Sequence, residues 1–242
     1  GLQALMVWGM RVGVEFAELF EDRQLSNDCK AAEKKLVKAA SKVYKKFLAS
    51  CPAPDAPGSK QVTALMTITG LIDAPKADKE FLSINGAQGF STFYGYYMAG
   101  NYQGALDVIR EYWGAMIDLG ATSFWEDFDI NWIPNAAPID ELVPEGKKDI
   151  HGDCGAYCYV GFRHSLCHGW ASGPTSWLSR HILGVEVIEP GCRQVRITPH
   201  LGDLQWVKGT FPTPYGELQI YHEKQANGNV ISEVKAPKGV SV

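Results

Sequence analysis

The sequence predicts a mainly α chain that ends in an antiparallel β domain. Apolar residues recur at three- and four-residue spacing through most of the stretch before Val185, in blocks joined by short connections, and from Val185 the period drops to two. Successive helices with short connections pack as an antiparallel array or a barrel of helix pairs. Period-two segments bounded by turn residues make an antiparallel sheet. The boundary is placed so that 1–185 form the helical part and 186–242 the β domain.

Leu5, Trp8, Val12, Phe16 and Leu19 make the first helical stripe, over 2 to about 21. Ser26-Asn27-Asp28 offers an N-cap for a second helix over roughly 28–50. In it Lys30, Lys34, Lys38, Lys42 and Lys46 form a row that reads as a solvated face, opposite Leu36, Ala40, Val43, Tyr44, Phe47 and Leu48. The run Cys51-Pro52-Ala53-Pro54 stops this helix. Shorter helices are expected at about 60–71 and 75–82, followed by a Gly- and Tyr-rich stretch from Ala87 to Met98. The clearest helix runs from Tyr102 to Leu119, with Ala105, Leu106, Ile109, Tyr112, Trp113 and Met116 on one face. Residues 133–163, broken by Gly and Pro, read as a long loop of the kind that walls or covers a site. A last helix starts at Ser172-Gly173-Pro174, where Pro suits the first turn, and stops at Gly184.

Beyond it, Val195–Thr198, Leu204–Val207, Glu217–Tyr221 and Val230–Val234 read as strands. Pro199, Pro212-Thr213-Pro214, Tyr215-Gly216 and Asn227-Gly228-Asn229 are the turns, the last a hairpin signal. Both ends of the chain fall inside such patterns, so the chain is expected to be a piece of a longer polypeptide.

Composition narrows the function classes. Hydrophobic residues at 45% and charged residues at 21% are globular values, and a net charge of -4 gives no electrostatic reason to expect nucleic acid. No apolar run approaches the roughly 18 residues of a membrane span, and no signal-peptide pattern opens the chain. The six cysteines match no disulfide scaffold and read as free thiols. Cys154, Cys158 and Cys167 lie near His151, His164 and His168, but at intervals unlike a zinc finger or ribbon. No metal or cofactor is expected.

The stretch that carries chemistry is Gly120 to Trp132. It sets Glu126, Asp127 and Asp129 among Phe124, Trp125, Phe128 and Trp132. Flat apolar rings beside carboxylates suit a sugar, whose C–H faces stack on an aromatic while its hydroxyls bond to the acid. Trp125 and Trp132 are therefore candidate stacking platforms, although an aromatic in such a place is more often core. Asp127 and Asp129 are candidates to orient water or bind hydroxyls, against the plainer reading of solvated loop carboxylates.

Two motifs tie this stretch to a family. Gly120-Ala121-Thr122-Ser123-Phe124-Trp125-Glu126 resembles the G-A-T-T-x-W-E motif of the α-L-rhamnosidases of glycoside hydrolase family 78. Ser165-Leu166-Cys167-His168 resembles their S-L-N-H segment, with Cys167 in place of Asn. Gly191 to Pro199 is similar to the strand that opens the family's C-terminal β domain, and Asp127-Phe128 stands where Arg-Trp is common.

The resemblance implies part of an (α/α)6 barrel followed by an antiparallel β-sandwich. It also implies inverting hydrolysis that releases terminal α-L-rhamnose from glycosides or polysaccharides, in a periplasmic or secreted location. Glu126 takes the role of general base that activates water, and His168 that of a sugar contact. The general acid, and most contacts to the sugar hydroxyls, belong to the N-terminal half of the barrel, in an acidic motif this sequence lacks. The expected partners are thus a carbohydrate substrate and the remaining N-terminal part of the same polypeptide. The rival expectations are a non-catalytic carbohydrate-binding or scaffold module that keeps the barrel fold, and a related hydrolase acting on another sugar.

Overall fold

The computed structural model describes residues 2–48, 65–71, 100–126, 128–149 and 165–242, the side chains of 43–48 and of Trp170 aside. The expectations for Cys51–Pro54, the helix at 75–82, Ala87–Met98 and the clustered His151, Cys154, Cys158 and His164 lie outside the described residues. So does Asp127.

Helix α1 (Leu2–Leu19) and helix α2 (Arg23–Leu48) form an antiparallel pair. α1 buries the small residues Ala4, Val7 and Ala17. A Cβ at Gly13 would meet Cys29 Sγ at 2.9 Å, which shows how closely α2 approaches there. The larger stripe is on view instead: Leu5, Phe16 and Leu19 are exposed, as are Leu2 and Phe20. The turn between the helices corrects the expected cap. Asp22, not Ser26-Asn27-Asp28, caps α2, its Oδ1 accepting from the Leu25 N–H at 2.9 Å. Ser26 is already buried within the helix. Asp22 wins because it stands where the first-turn amides of α2 lack partners, directly after the reversal at Glu21 (φ 57°). Lys30, Lys34, Lys38 and Lys42 are exposed, as a solvated row should be.

Residues 65–68 are helical within the stretch expected to be. The clearest sequence helix is interrupted in one respect. Helix α3 (Tyr102–Val108) passes through a π-helical turn (Ile109–Trp113) into α4 (Gly114–Asp118). The wide turn lets the adjacent Tyr112 and Trp113 both reach the core, at 4% and 5% exposure. Asn101 caps α3 by accepting from the Gly104 N–H.

The expected long loop holds a two-residue parallel pairing of β1 (Ala136–Ala137) with β2 (Lys148–Asp149). Helix α5 (Gly173–Trp177) begins with Pro174 in its first turn and continues as a π-helical turn (Leu178–Ile182). Gly184 then reverses the chain at φ 74°.

Beyond Gly184 the strands are antiparallel. β3 (Val185–Val187) pairs with β4 (Val195–Ile197), and β5 (Trp206–Thr213), β6 (Gly216–Lys224) and β7 (Val230–Lys235) form a three-stranded sheet in that order. β5 is longer than expected, for Pro212 pairs with Glu217 inside the strand rather than turning it. An edge strand tolerates a residue without an N–H, and β5 is such an edge. The reversal is left to Pro214-Tyr215. The Asn227-Gly228-Asn229 hairpin turn forms as expected, Gln225 N–H donating to Asn229 O at 2.8 Å.

One core lies under α3, α4 and α5 and includes Tyr112, Trp113, Met116, Trp125, Phe128, Trp177 and Ile182. Another joins Leu183, Val185, Val195, Leu218 and Ile220. The two meet around the end of α5. His222, 0% exposed, bridges Leu183 O (Nε2, 3.1 Å) and Ser232 Oγ (Nδ1, 2.7 Å), a satisfied core histidine. Tyr102 stacks on His200 at 3.8 Å, and the Arg110 guanidinium grips Asp203 through two bonds.

Candidate functional site

The site begins where α4 ends. Ala121 N–H bonds to Met116 O and Gly120 N–H to Ile117 O, both at 2.9 Å, a Schellman termination around Gly120 in the left-handed region (φ 89°). Glycine is required twice over, since a Cβ here would also meet Asp140 Oδ1 at 2.9 Å. The helix therefore hands the next residues to a path without regular secondary structure.

That path is held by a second segment from far along the chain. Glu126 N–H donates to Ser165 O at 2.8 Å, His168 N–H donates to Phe124 O at 2.7 Å, and Ser123 Oγ donates to Leu166 O. The two family-like motifs thus lie side by side. Their side chains converge on one carboxylate. Glu126 Oε2 accepts the Ser165 N–H at 3.0 Å, and Oε1 faces His168 Nε2 at 3.6 Å, within ion-pair range but beyond a hydrogen bond. The Glu126 side chain is 20% exposed and that of His168 30%, so both are sheltered yet reachable. His168 Nδ1 is buried with no hydrogen-bond partner among the described residues.

The π-helical turn braces both flanks. Tyr112 OH donates to Phe128 O at 2.7 Å, just past Glu126, and Trp113 Nε1 donates to Ala171 O at 2.9 Å, just past His168. Two neighbouring residues of one helix thereby locate both segments.

The remaining candidates take different places. Trp125 is 1% exposed and meets Phe128 edge-on at 5.8 Å, which makes its ring a packing element of the core. Trp132 is partly buried, packs on the same core and stands edge-on to Phe128 at 6.0 Å. Asp129 spends Oδ1 locally, accepting from Asn131 N–H at 2.9 Å and Asn131 Nδ2 at 2.8 Å, and so caps the short 3₁₀ turn Ile130–Trp132. Among the described residues no three His, Cys, Asp or Glu side chains are placed to hold a metal ion. None of the described helices is long and apolar enough to cross a membrane.

Two contributors escaped the sequence reading. Ser165 acts through its backbone N–H, which no side-chain pattern encodes, and Ser123 through a bond to a residue 43 positions away. Both lie inside the quoted motifs, which was the available signal.

Residues 184–242 match the bacterial α-L-rhamnosidase C-terminal domain. Over those residues the chain is similar to that domain. The resemblance read from Gly191–Pro199 is borne out there. No curated protein sequence matches the chain.

Solved structures share the fold over nearly all of it. A GH78 family rhamnosidase of Bacillus sp. GL1 aligns over 97% of this chain at 19% identity with TM-score 0.69. The α-L-rhamnosidase of Aspergillus terreus aligns over 98% at 18% identity with TM-score 0.70. That of Streptomyces avermitilis, solved with L-rhamnose, aligns over 98% at 16% identity with TM-score 0.67. At these identities the likeness establishes the fold: a helical N-terminal part followed by an antiparallel sheet region. The chain spans 24%, 27% and 22% of the lengths of those structures, about a quarter of each.

Proposed function

We propose that this chain is the C-terminal portion of an inverting α-L-rhamnosidase, with Glu126 as the general base. In this reading 1–185 complete an (α/α)6 barrel and 186–242 belong to a β-sandwich. The single observation that carries the proposal is the Glu126 carboxylate. It is reachable from solvent at one side, fixed at Oε2 by the Ser165 N–H and faced at Oε1 by His168. A base must be held in one orientation within reach of the water it deprotonates, and the Ser165 N–H holds this partly exposed carboxylate.

In the reaction so proposed, Glu126 takes a proton from a water as its oxygen attacks the anomeric carbon. A second carboxyl, on the far side of the sugar, protonates the departing oxygen. The two lie roughly 6.5–9.5 Å apart in inverting enzymes, which leaves room for the water. His168 Nε2 serves as a donor to a sugar hydroxyl beside the base. Trp132, Asp127 and Asp129 remain candidate contacts, with Asp129 limited by its bonds to Asn131. Trp125 contributes by anchoring Glu126 to the core.

The acid is assigned to the N-terminal part of the same polypeptide. The exposed α1 residues Leu2, Leu5, Phe16 and Leu19, with Phe20 just beyond them, support such a neighbour, because a helix apolar on two faces has two partners to cover. The reading includes a secreted or periplasmic location.

Full-length polypeptide assayed on an aryl α-L-rhamnoside, with and without Glu126→Gln, tests the proposal. The substitution is expected to lower kcat by roughly 10²–10⁴. Equal rates would remove Glu126 as the base, and no turnover of any aryl glycoside by either form would return the alternative of a non-catalytic carbohydrate-binding module. Activity on a different aryl glycoside alone would keep the base and change the sugar.

A further inference from the structure

Residues 123–126 and 165–168 lie side by side as a short clasp, and one of its fastenings is a hydroxyl. Ser165 N–H reaches Glu126 Oε2 only if residues 165–168 lie alongside 123–126 in this register. Two backbone bonds set that register, Glu126 N–H to Ser165 O and His168 N–H to Phe124 O. They leave the Leu166 carbonyl between them, and the partly buried Ser123 Oγ donates to it. The same Leu166 packs against the core.

The segment it fastens has little regular structure to hold it. Residues 165–168 form neither helix nor strand; among the described residues they are held by the Ser165 Oγ bonds to Cys167 N and O, the Ala171 N–H bond to His168 O, the packing of Leu166 and the bonds to 123–126. A small shift there would move both the amide and the imidazole that face the carboxylate.

We propose that Ser123 is a positioning residue for the base. It touches neither the carboxylate nor the reacting atoms, and acts by locking the 165–168 segment that orients Glu126 and presents His168. The inference rests on Glu126 being the base. Its chemical content is geometric: a base displaced by about 1 Å from its line to the water can lose up to about 10²-fold in rate while substrate binding survives.

The test is steady-state kinetics of the full-length polypeptide on an aryl α-L-rhamnoside for wild type, Ser123→Ala, Ser123→Thr, Ser123→Cys and Glu126→Gln. Ser123→Ala is expected to lower kcat about 10- to 100-fold with KM within about twofold. Ser123→Thr keeps the hydroxyl and should restore most of the rate. If Ser123→Ala lowers the unfolding midpoint, Ser123→Cys is the variant to read, since it conserves volume and weakens the donor. It should still lose kcat at an unchanged midpoint. Wild-type kcat in Ser123→Ala or Ser123→Cys, beside an inactive Glu126→Gln, overturns the positioning role and leaves the base intact. Wild-type activity in Glu126→Gln overturns the base, and the positioning role with it.

Discussion

Glu126 Oε1 and His168 Nε2 stand 3.6 Å apart although their residues are 42 positions apart in the chain, and both side chains are partly sheltered. The pair exists because Phe124–Glu126 and Ser165–His168 bond backbone to backbone. The carboxylate therefore depends on the fold around it, and several consequences can be measured.

Gly184 is the first. Its φ is 74°, and a Cβ would lie 2.4 Å from the Thr198 carbonyl carbon and 2.5 Å from Pro199 N, both backbone atoms that cannot swing away. Gly184→Ala is expected to destabilise the protein by about 2–4 kcal/mol, the strain of the left-handed conformation adding to the clash. Denaturant unfolding of wild type and variant checks this; a loss under about 0.5 kcal/mol, typical of a neutral surface change, would contradict it.

His181 is the second. It is buried between Tyr102 and Trp177, and desolvation, then Arg180, then His200 depress its pKa to about 4. Desolvation also lowers that of His200. The unfolded chain then binds protons that the folded chain refuses between about pH 6.5 and 4, so stability is complete above that window and falls as the pH drops through it. A loss of about 1–3 kcal/mol is expected from His181, measured as the unfolding free energy at stepped pH. His181→Phe should flatten that step, and an unchanged slope would contradict the assignment.

Trp125 separates packing from binding. At 1% exposure its removal leaves a cavity beside Phe128, and Trp125→Ala is expected to cost about 3–5 kcal/mol. Trp125→Phe in the full-length polypeptide should leave KM for an aryl α-L-rhamnoside within about twofold, because the ring is not offered to a ligand. A tenfold rise in KM without loss of stability would make the indole a direct contact.

The sequence carried the parts of this structure that depend on local chemistry. The stripe from Tyr102 to Met116, Pro174 at a helix start, Gly184 at its end and the Asn227-Gly228-Asn229 turn were legible because period, cap and turn act within a few residues. The cap of α2 was misplaced by four residues, since Asp22 and Ser26 carry the same preference and only the reversal at Glu21 chooses between them. The extension of β5 through Pro212 was hidden because edge position is a property of the sheet. In the site, Glu126 and His168 were visible as members of two motifs. Their meeting, the burial of Trp125 and the capture of Asp129 by Asn131 were not, for each depends on neighbours that sequence spacing does not set.

The most direct test of Glu126 as the base removes the carboxylate and supplies a nucleophile that needs none. Full-length polypeptide carrying Glu126→Ala is assayed on an aryl α-L-rhamnoside with and without sodium azide, and the product is read by NMR. Hydrolysis is expected to fall by roughly 10²–10⁴ and azide to restore turnover, giving a rhamnosyl azide of inverted anomeric configuration. Hydrolysis by Glu126→Ala at the wild-type rate, or an azide product of retained configuration, would contradict the account.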